Sequence, residues 1–231
     1  MTNPQLKPGA PHPVLHDYYG QPEDRRAFVR KLFDDAAPLY DRINNLFSFG
    51  TGSRYRRDCL VWAGLRPHLR VADIATGTGL VARAAVEILG PEGDIIGVDL
   101  STSMLTIARQ KLQIPLIQGT AEELPFADSS IDFLSMGYAL RHVDDLAATF
   151  REFHRVLRPG GTVLVLEIAK PTKRFNRALL SAYLGSVVPL LTRWLGGRAT
   201  GQTLMQYYWD TIENCVAPEA ILSLYLLATF S

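Results

Sequence analysis

Cysteine is scarce in this chain: Cys59 and Cys215 are the two among 231 residues, and they stand far apart. That count argues against a disulfide framework, and neither cysteine has partners at a metal-ligand spacing, so both read as small, reduced core residues of a cytosolic protein. Excess charge is also missing. With 24 Lys and Arg against 23 Asp and Glu, the net charge of +1 leaves no electrostatic footprint for nucleic acid. No secretory apolar segment opens the chain. Its first thirteen residues carry four prolines and no apolar periodicity, so residues 1–20 read as a mobile tail, with His12 and His16 as solvated histidines rather than metal ligands. Ala178 to Leu191 runs fourteen residues without a charge, short of the roughly twenty that cross a bilayer. No internal repeat is visible.

What is present is apolar material for one sizeable core, 47% of the residues. The pattern from Glu23 to Leu46 is helical, with Pro38 expected to break or kink it, and a second helix is expected over Tyr55 to Gly64. Strands at 70–75, 94–99, 115–119, 131–137 and 162–168 then alternate with helices at 79–89, 102–112 and 145–157. Short links between strand and helix predict an α/β, doubly wound parallel sheet. Arg158-Pro-Gly-Gly161 reads as a turn before the last strand. Residues 168–209 break the alternation and carry six basic residues with no Asp or Glu. They read as a helical cap, or as a lid over an apolar substrate that leans on an anionic membrane face. A last helix over Pro218–Phe230 is followed by no strand, so a terminal strand pair is expected to be missing. One domain spans 21–231, divided into an N-terminal helical cap (21–66), a cofactor-binding core (67–168) and a helical lid (169–215).

The run Val71-Ala-Asp73-Ile-Ala-Thr-Gly77-Thr-Gly79 joins a strand to a glycine turn and a helix, where a ligand can approach bare backbone. Asp73 is costly to desolvate in an apolar strand, which makes a ligand with an ammonium group a natural partner. Asp99, at the tip of the second strand, is placed to accept two ribose hydroxyls. Gly77-x-Gly79-x-x-Ala82 also fits a nicotinamide dinucleotide site. None of the nine tyrosines has a lysine four residues on, however, as a short-chain hydride-transfer enzyme would require.

Four motifs in order, Asp73-x-Ala-x-Gly77-Thr-Gly79, Gly97-Val-Asp99-Leu-Ser-x-x-Met104-Leu, Gly119-Thr-Ala121-Glu122-Glu-Leu-Pro125-Phe126 and Arg155-Val-Leu-Arg-Pro-Gly-Gly161, resemble a class I S-adenosylmethionine-dependent methyltransferase. Phe33-Asp-x-Ala36-x-x-Tyr40-Asp41-x-x-Asn44-x-x-x-Ser48-x-Gly50 with Arg56-Arg57, and Leu164-x-Leu-Glu167-x-x-Lys170-Pro171, are similar to the UbiE-type ubiquinone/menaquinone C-methyltransferase family. The likeness runs over residues 27–231. It implies a Rossmann-like sheet with N-terminal helices and a helical insertion after the fifth strand. It further implies S-adenosylmethionine as cofactor, held by Asp73, Ala75, Gly77, Thr78, Gly79, Asp99, Leu100, Met104, Thr120, Ala121 and Gly137, with no metal. Tyr40, Arg141 and His142 are the candidate catalytic residues: Arg141 for an oxyanion, His142 as general base or as a stand-in for the asparagine usual at that position. The chain also departs from the family at Thr76, Leu80 and Gly137.

The resemblance implies carbon methylation of a prenylated quinol by a cytoplasmic protein, with peripheral membrane contact at the inner face and a homodimer both allowed. N- or O-methylation of a phospholipid headgroup or a secondary metabolite stays open. So do a nicotinamide oxidoreductase and a cofactor-binding scaffold without turnover.

Overall fold

A computed structural model describes residues 9–171, 173–183 and 200–230. Five parallel strands, β1 (Arg70–Ile74), β2 (Asp94–Asp99), β3 (Leu116–Gln118), β4 (Ile131–Gly137) and β5 (Leu157–Leu166), form one sheet in the order β3-β2-β1-β4-β5. The helices are α1 (Arg25–Phe47), α2 (Gly52–Trp62), α3 (Leu80–Leu89), α4 (Thr102–Lys111), α5 (Leu146–Val156), α6 (Arg174–Ala182), α7 (Thr200–Asn214) and α8 (Pro218–Phe230).

Alternation along the strands builds a core on each face. Val71 and Phe133 pack with Leu60 of α2 and with Val81, Ala82 and Ala85 of α3. Ala72, Ile74, Leu134 and Met136 pack with Phe150 and Phe153 of α5, and α8 closes that side through Ile221, Leu224 and Tyr225. A third cluster joins α1 to α7 through Val29, Leu32, Ala36, Leu204 and Tyr207. The chain reverses its direction across the sheet between β1 and β4, which leaves a crevice at their carboxyl ends.

Helix α1 runs on through Pro38 without a break. The lost backbone bond is offset by anchors on either side of the proline: Asp34 accepts from Ser101 Oγ at 2.5 Å, and Asp41 accepts from Thr78 Oγ1 at 2.5 Å. Strand β5 starts earlier than the pattern suggests and absorbs the Arg158–Gly161 turn as a bulge. Its register against β4 shifts between Ile131 and Phe133, where Gly160 takes φ +78°.

Residues 9–20 depart from the expected tail. Gly9 O accepts from Leu146 N at 2.7 Å and Pro11 O from Val216 N at 2.9 Å, which pins the segment to the starts of α5 and α8. His12 is buried rather than solvated, and burial, with the Arg25 charge nearby, lowers its pKa to about 4. The reason is backbone pairing: carbonyls that proline leaves free to accept hold the segment without any apolar periodicity. Of the basic, apolar stretch after β5, residues 184–199, including Arg193 and Arg198, lie outside the described residues.

Candidate active site

A cleft of about 830 Å³ opens at the carboxyl ends of β1 and β4, beneath α1. Ala75, Gly77, Asp99, Leu100, Met104, Thr120, Ala121, Gly137 and His142 line it, with Tyr40 reaching in from α1. Ten of the residues picked out in the sequence therefore meet in one place. Asp99 is buried at its edge, its Oδ2 accepting from Gly77 N at 2.7 Å and its Oδ1 from Ser101 N at 2.8 Å. Each carboxylate oxygen keeps a second lone pair for a ligand donor. Burial raises the Asp99 pKa to about 6, opposed by those two amides. Gly77 sits at φ +58°, and an added Cβ there would meet no protein atom within 4 Å. Its missing side chain leaves room beside bare backbone.

His142 is half-buried among rings, its two ring nitrogens turned away from solvent, stacked on Tyr207 and Tyr208 and edge-on to Phe33. Neither ring nitrogen has a partner. Burial first, then the charge of Arg141, holds its pKa well below the usual histidine value, so the ring is neutral. Buried polar atoms without partners, at the wall of a cleft, fit a ligand that supplies donors and acceptors.

Four expected contacts lie elsewhere. Asp73 is fully buried and absent from the cleft wall. Its Oδ1 accepts from Ser135 Oγ and its Oδ2 from Thr76 Oγ1, both at 2.6 Å. The pleat explains this, since Asp73 follows Val71 onto the face covered by α2 and α3 whereas Ile74 turns to the cleft; Ala75, past the end of β1 at φ +52°, leaves the alternation and reaches the cleft too. Its carboxyl, pushed up to about 6 by burial, braces the glycine loop from below. Thr78 spends its hydroxyl on Asp41, which also pairs with Lys111, so it fastens α1 to the loop. Gly79 caps α3 at φ +84°, where a Cβ would stand 2.4 Å from Leu112 Cδ1; its role is close packing.

Arg141 is the fourth. It pairs with Glu167, donates to Tyr138 O at 3.0 Å and Thr211 Oγ1 at 3.2 Å, and lies over the Tyr208 ring. It faces a second cavity, also of about 830 Å³, whose wall includes Asn44, Ser48, Tyr55, Arg56, Ile168, Met205 and Tyr208. Tyr40 and Tyr138 line both cavities. Tyr138 was not among the expected site residues. It stands at φ +61°, a conformation rare for a residue with a side chain, directly after β4 at the point where the strand order turns. That position is the signal by which it could have been found. Phe33, Ser101, Gly119, Glu122 and Asp144 are further cleft residues that the motifs contain or adjoin without marking.

The model of the ubiE/COQ5 methyltransferase family matches residues 20–225. A demethylmenaquinone methyltransferase of Symbiobacterium thermophilum is 33% identical over 219 residues, 90% of this chain and 87% of that one. The ubiquinone/menaquinone biosynthesis C-methyltransferase UbiE of Hahella chejuensis is 37% identical over 175 residues, 73% of this chain and 70% of that one. Among solved structures, a SAM-dependent methyltransferase of Thermotoga maritima, described as a possible histamine N-methyltransferase, superposes with a TM-score of 0.59 at 22% identity. The match covers 87% of this chain and 81% of that one and shows the shared fold. With its cleft at the β1–β4 switch point, this S-adenosylmethionine-dependent methyltransferase belongs to the ubiE/COQ5 methyltransferase family.

Proposed function

We propose that the methyl acceptor is a ring carbon of a prenylated quinol held in the second cavity. The observation that carries this is the shared wall: the cleft that holds Asp99 and the bare Gly77 backbone meets, at Tyr40 and Tyr138, a chamber lined by tyrosines, aliphatic groups and arginines. Relatives that act on demethylmenaquinone or carry ubiquinone/menaquinone biosynthesis in their names support the ring as acceptor.

In the cleft, Asp99 takes the ribose hydroxyls, Gly77 and Ala75 pass the methionine part along bare backbone, and Leu100, Met104, Thr120 and Ala121 edge the base. When bound, S-adenosylmethionine would supply an electrophilic methyl group to the ring carbon, the sulfur keeping the electron pair of the broken bond and the ring proton passing to water. Tyr40 and Tyr138 fix the ring against the cleft, and such alignment is worth up to about 7–11 kcal/mol. His142, too weak a base to hold a proton at neutral pH, serves as a neutral hydrogen-bond partner in the cleft. Asp73, Thr78 and Gly79 keep the loop in shape, and Arg141 with Glu167 supports Tyr138 through its carbonyl.

Incubation with methyl-labelled cofactor and demethylmenaquinol should place the label on a ring carbon, read by mass spectrometry of the quinone. Label found on an amine headgroup, with none on the quinone, overturns the quinol reading.

The same reading places the protein against an anionic membrane face. No described helix is long and apolar enough to cross a bilayer. Yet α6 buries none of its residues, exposing Phe175 at 77% and Leu179 at 62% beside Lys173 and Arg174. Phe49, 78% exposed, stacks on Tyr183 at the end of α6, on the same side as the rim residues Ser48 and Thr51 of the second cavity. An amphipathic helix with basic residues flanking exposed rings lies in an interface plane. Cosedimentation should show several-fold stronger binding to vesicles containing phosphatidylglycerol than to phosphatidylcholine alone. Phe175→Glu with Leu179→Glu should lose that binding; equal binding of both proteins to both vesicles refutes the contact.

A further inference from the structure

Among the described residues three arginines are buried: Arg25, Arg56 and Arg141. Two are fully engaged. Arg25 donates to Tyr19 Oη, Val143 O and His12 O, and Arg141 is held by Glu167, Tyr138 and Thr211. Arg56, 7% exposed on α2, has no ion pair and no hydrogen bond, and its Nε is buried without a partner. Its guanidinium lies 5.6 Å over the Tyr138 ring, the ring that separates the two cavities, and it forms part of the wall of the second. Space around it is deliberately thin: a Cβ on Gly52 would come within 2.7 Å of Arg56 Nη1.

A buried guanidinium is costly to leave uncompensated, and its planar fork of donors matches an anionic oxygen better than any neutral partner. From that geometry we infer that Arg56 binds the ionised ring oxygen of the methyl acceptor, holding it as its phenolate against Tyr138. The inference rests on the quinol reading above. It takes from Arg141 the oxyanion role that the sequence suggests, because the Arg141 charge is already met by Glu167. Release of the hydroxyl proton to water leaves its electron pair on oxygen, from which it is delocalised onto the ring carbon that takes the methyl group. Arg56 thus acts on the acceptor directly. The other ionisable groups around that oxygen are Arg141 with its partner Glu167, Tyr40, Tyr55, Tyr138 and Tyr208, with Cys59 and Asp73 buried nearby.

The test uses the full chain loaded with S-adenosylhomocysteine and 1-naphthol, a mimic of the acceptor ring that ionises well above pH 7 when free. Near-ultraviolet absorption of the naphtholate against pH reports the ionisation of the bound probe. In the wild type its midpoint should lie about 1–3 pH units below that of the free probe, the range for a cation at close quarters. Arg56→Gln should return it to the free value and Arg56→Lys should fall between. Both variants should bind S-adenosylhomocysteine as the wild type does, which confirms an intact fold. Turnover of demethylmenaquinol by Arg56→Gln should drop more than tenfold, with the rising limb of its pH profile displaced to higher pH. An unchanged midpoint in Arg56→Gln overturns the assignment, and if that variant fails to fold, an Arg56→Lys midpoint identical to the wild type does so. A wild type that methylates amines and never the quinol overturns the acceptor reading instead.

Discussion

Changing Asp99 to alanine weakens S-adenosylhomocysteine binding by about 100-fold or more, because each hydrogen bond to a charged group is worth about 1.5–3 kcal/mol and two ribose hydroxyls lose their acceptor. The carboxylate is fixed before any ligand arrives, by Gly77 N on one oxygen and Ser101 N on the other, so it contributes with little reorganisation. Its pKa near 6 sets a pH dependence. Hydroxyl donors favour the ionised form, so affinity in the wild type should rise from pH 5 to pH 7 and be lost as pH falls through about 6, by at most about tenfold per pH unit for one proton. The alanine variant should lack that slope. Titration calorimetry at pH 5, 6 and 7 checks both effects; wild-type affinity in the variant at pH 7 would show that Asp99 does not grip the nucleoside.

Asp99 also marks what could be read in the sequence. The strand and helix pattern carries the sheet, because apolar period and glycine turns are local properties, and the residues at strand tips follow from it: Ala75, Gly77, Asp99, Leu100 and Gly137 all reach the cleft. What escaped depends on partners far along the chain. Thr78 reads as a ligand contact until Asp41, 37 residues earlier, is seen to take its hydroxyl. Asp73 belongs to the same motif as Gly77, but one step of the pleat turns it into the layer between β1 and the helices α2 and α3. His12 sits among prolines that carry no periodicity, and its burial depends on pairing with residues beyond 140. Arg56 reads as one half of an Arg-Arg pair, and only the packing shows that Arg56 is buried while Arg57 is exposed. Tyr138 needs the sheet order before its place between two cavities has meaning.

Arg141 gives the second large effect. Glu167→Ala should destabilise the fold by about 3–5 kcal/mol, the cost of leaving a buried charge without its partner. Such a loss is a large share of the 5–15 kcal/mol that holds a typical domain together. Arg141 is 1% exposed, and Glu167 supports it in two ways, pairing with its guanidinium and accepting from its backbone amide at 3.4 Å, while Ile168 N at 2.9 Å holds the carboxylate in place. Urea denaturation of single and double variants separates structure from chemistry. Replacing both partners by apolar residues of similar volume, Arg141→Met with Glu167→Leu, should recover most of the lost stability, since an ion pair removed whole leaves no orphaned charge. If Arg141 is a brace for Tyr138, that double variant keeps its affinity for S-adenosylhomocysteine and loses turnover only in proportion to the displacement of the tyrosine. A double variant as stable as the wild type, with normal cofactor binding and turnover abolished outright, would instead return the arginine to the reacting atoms.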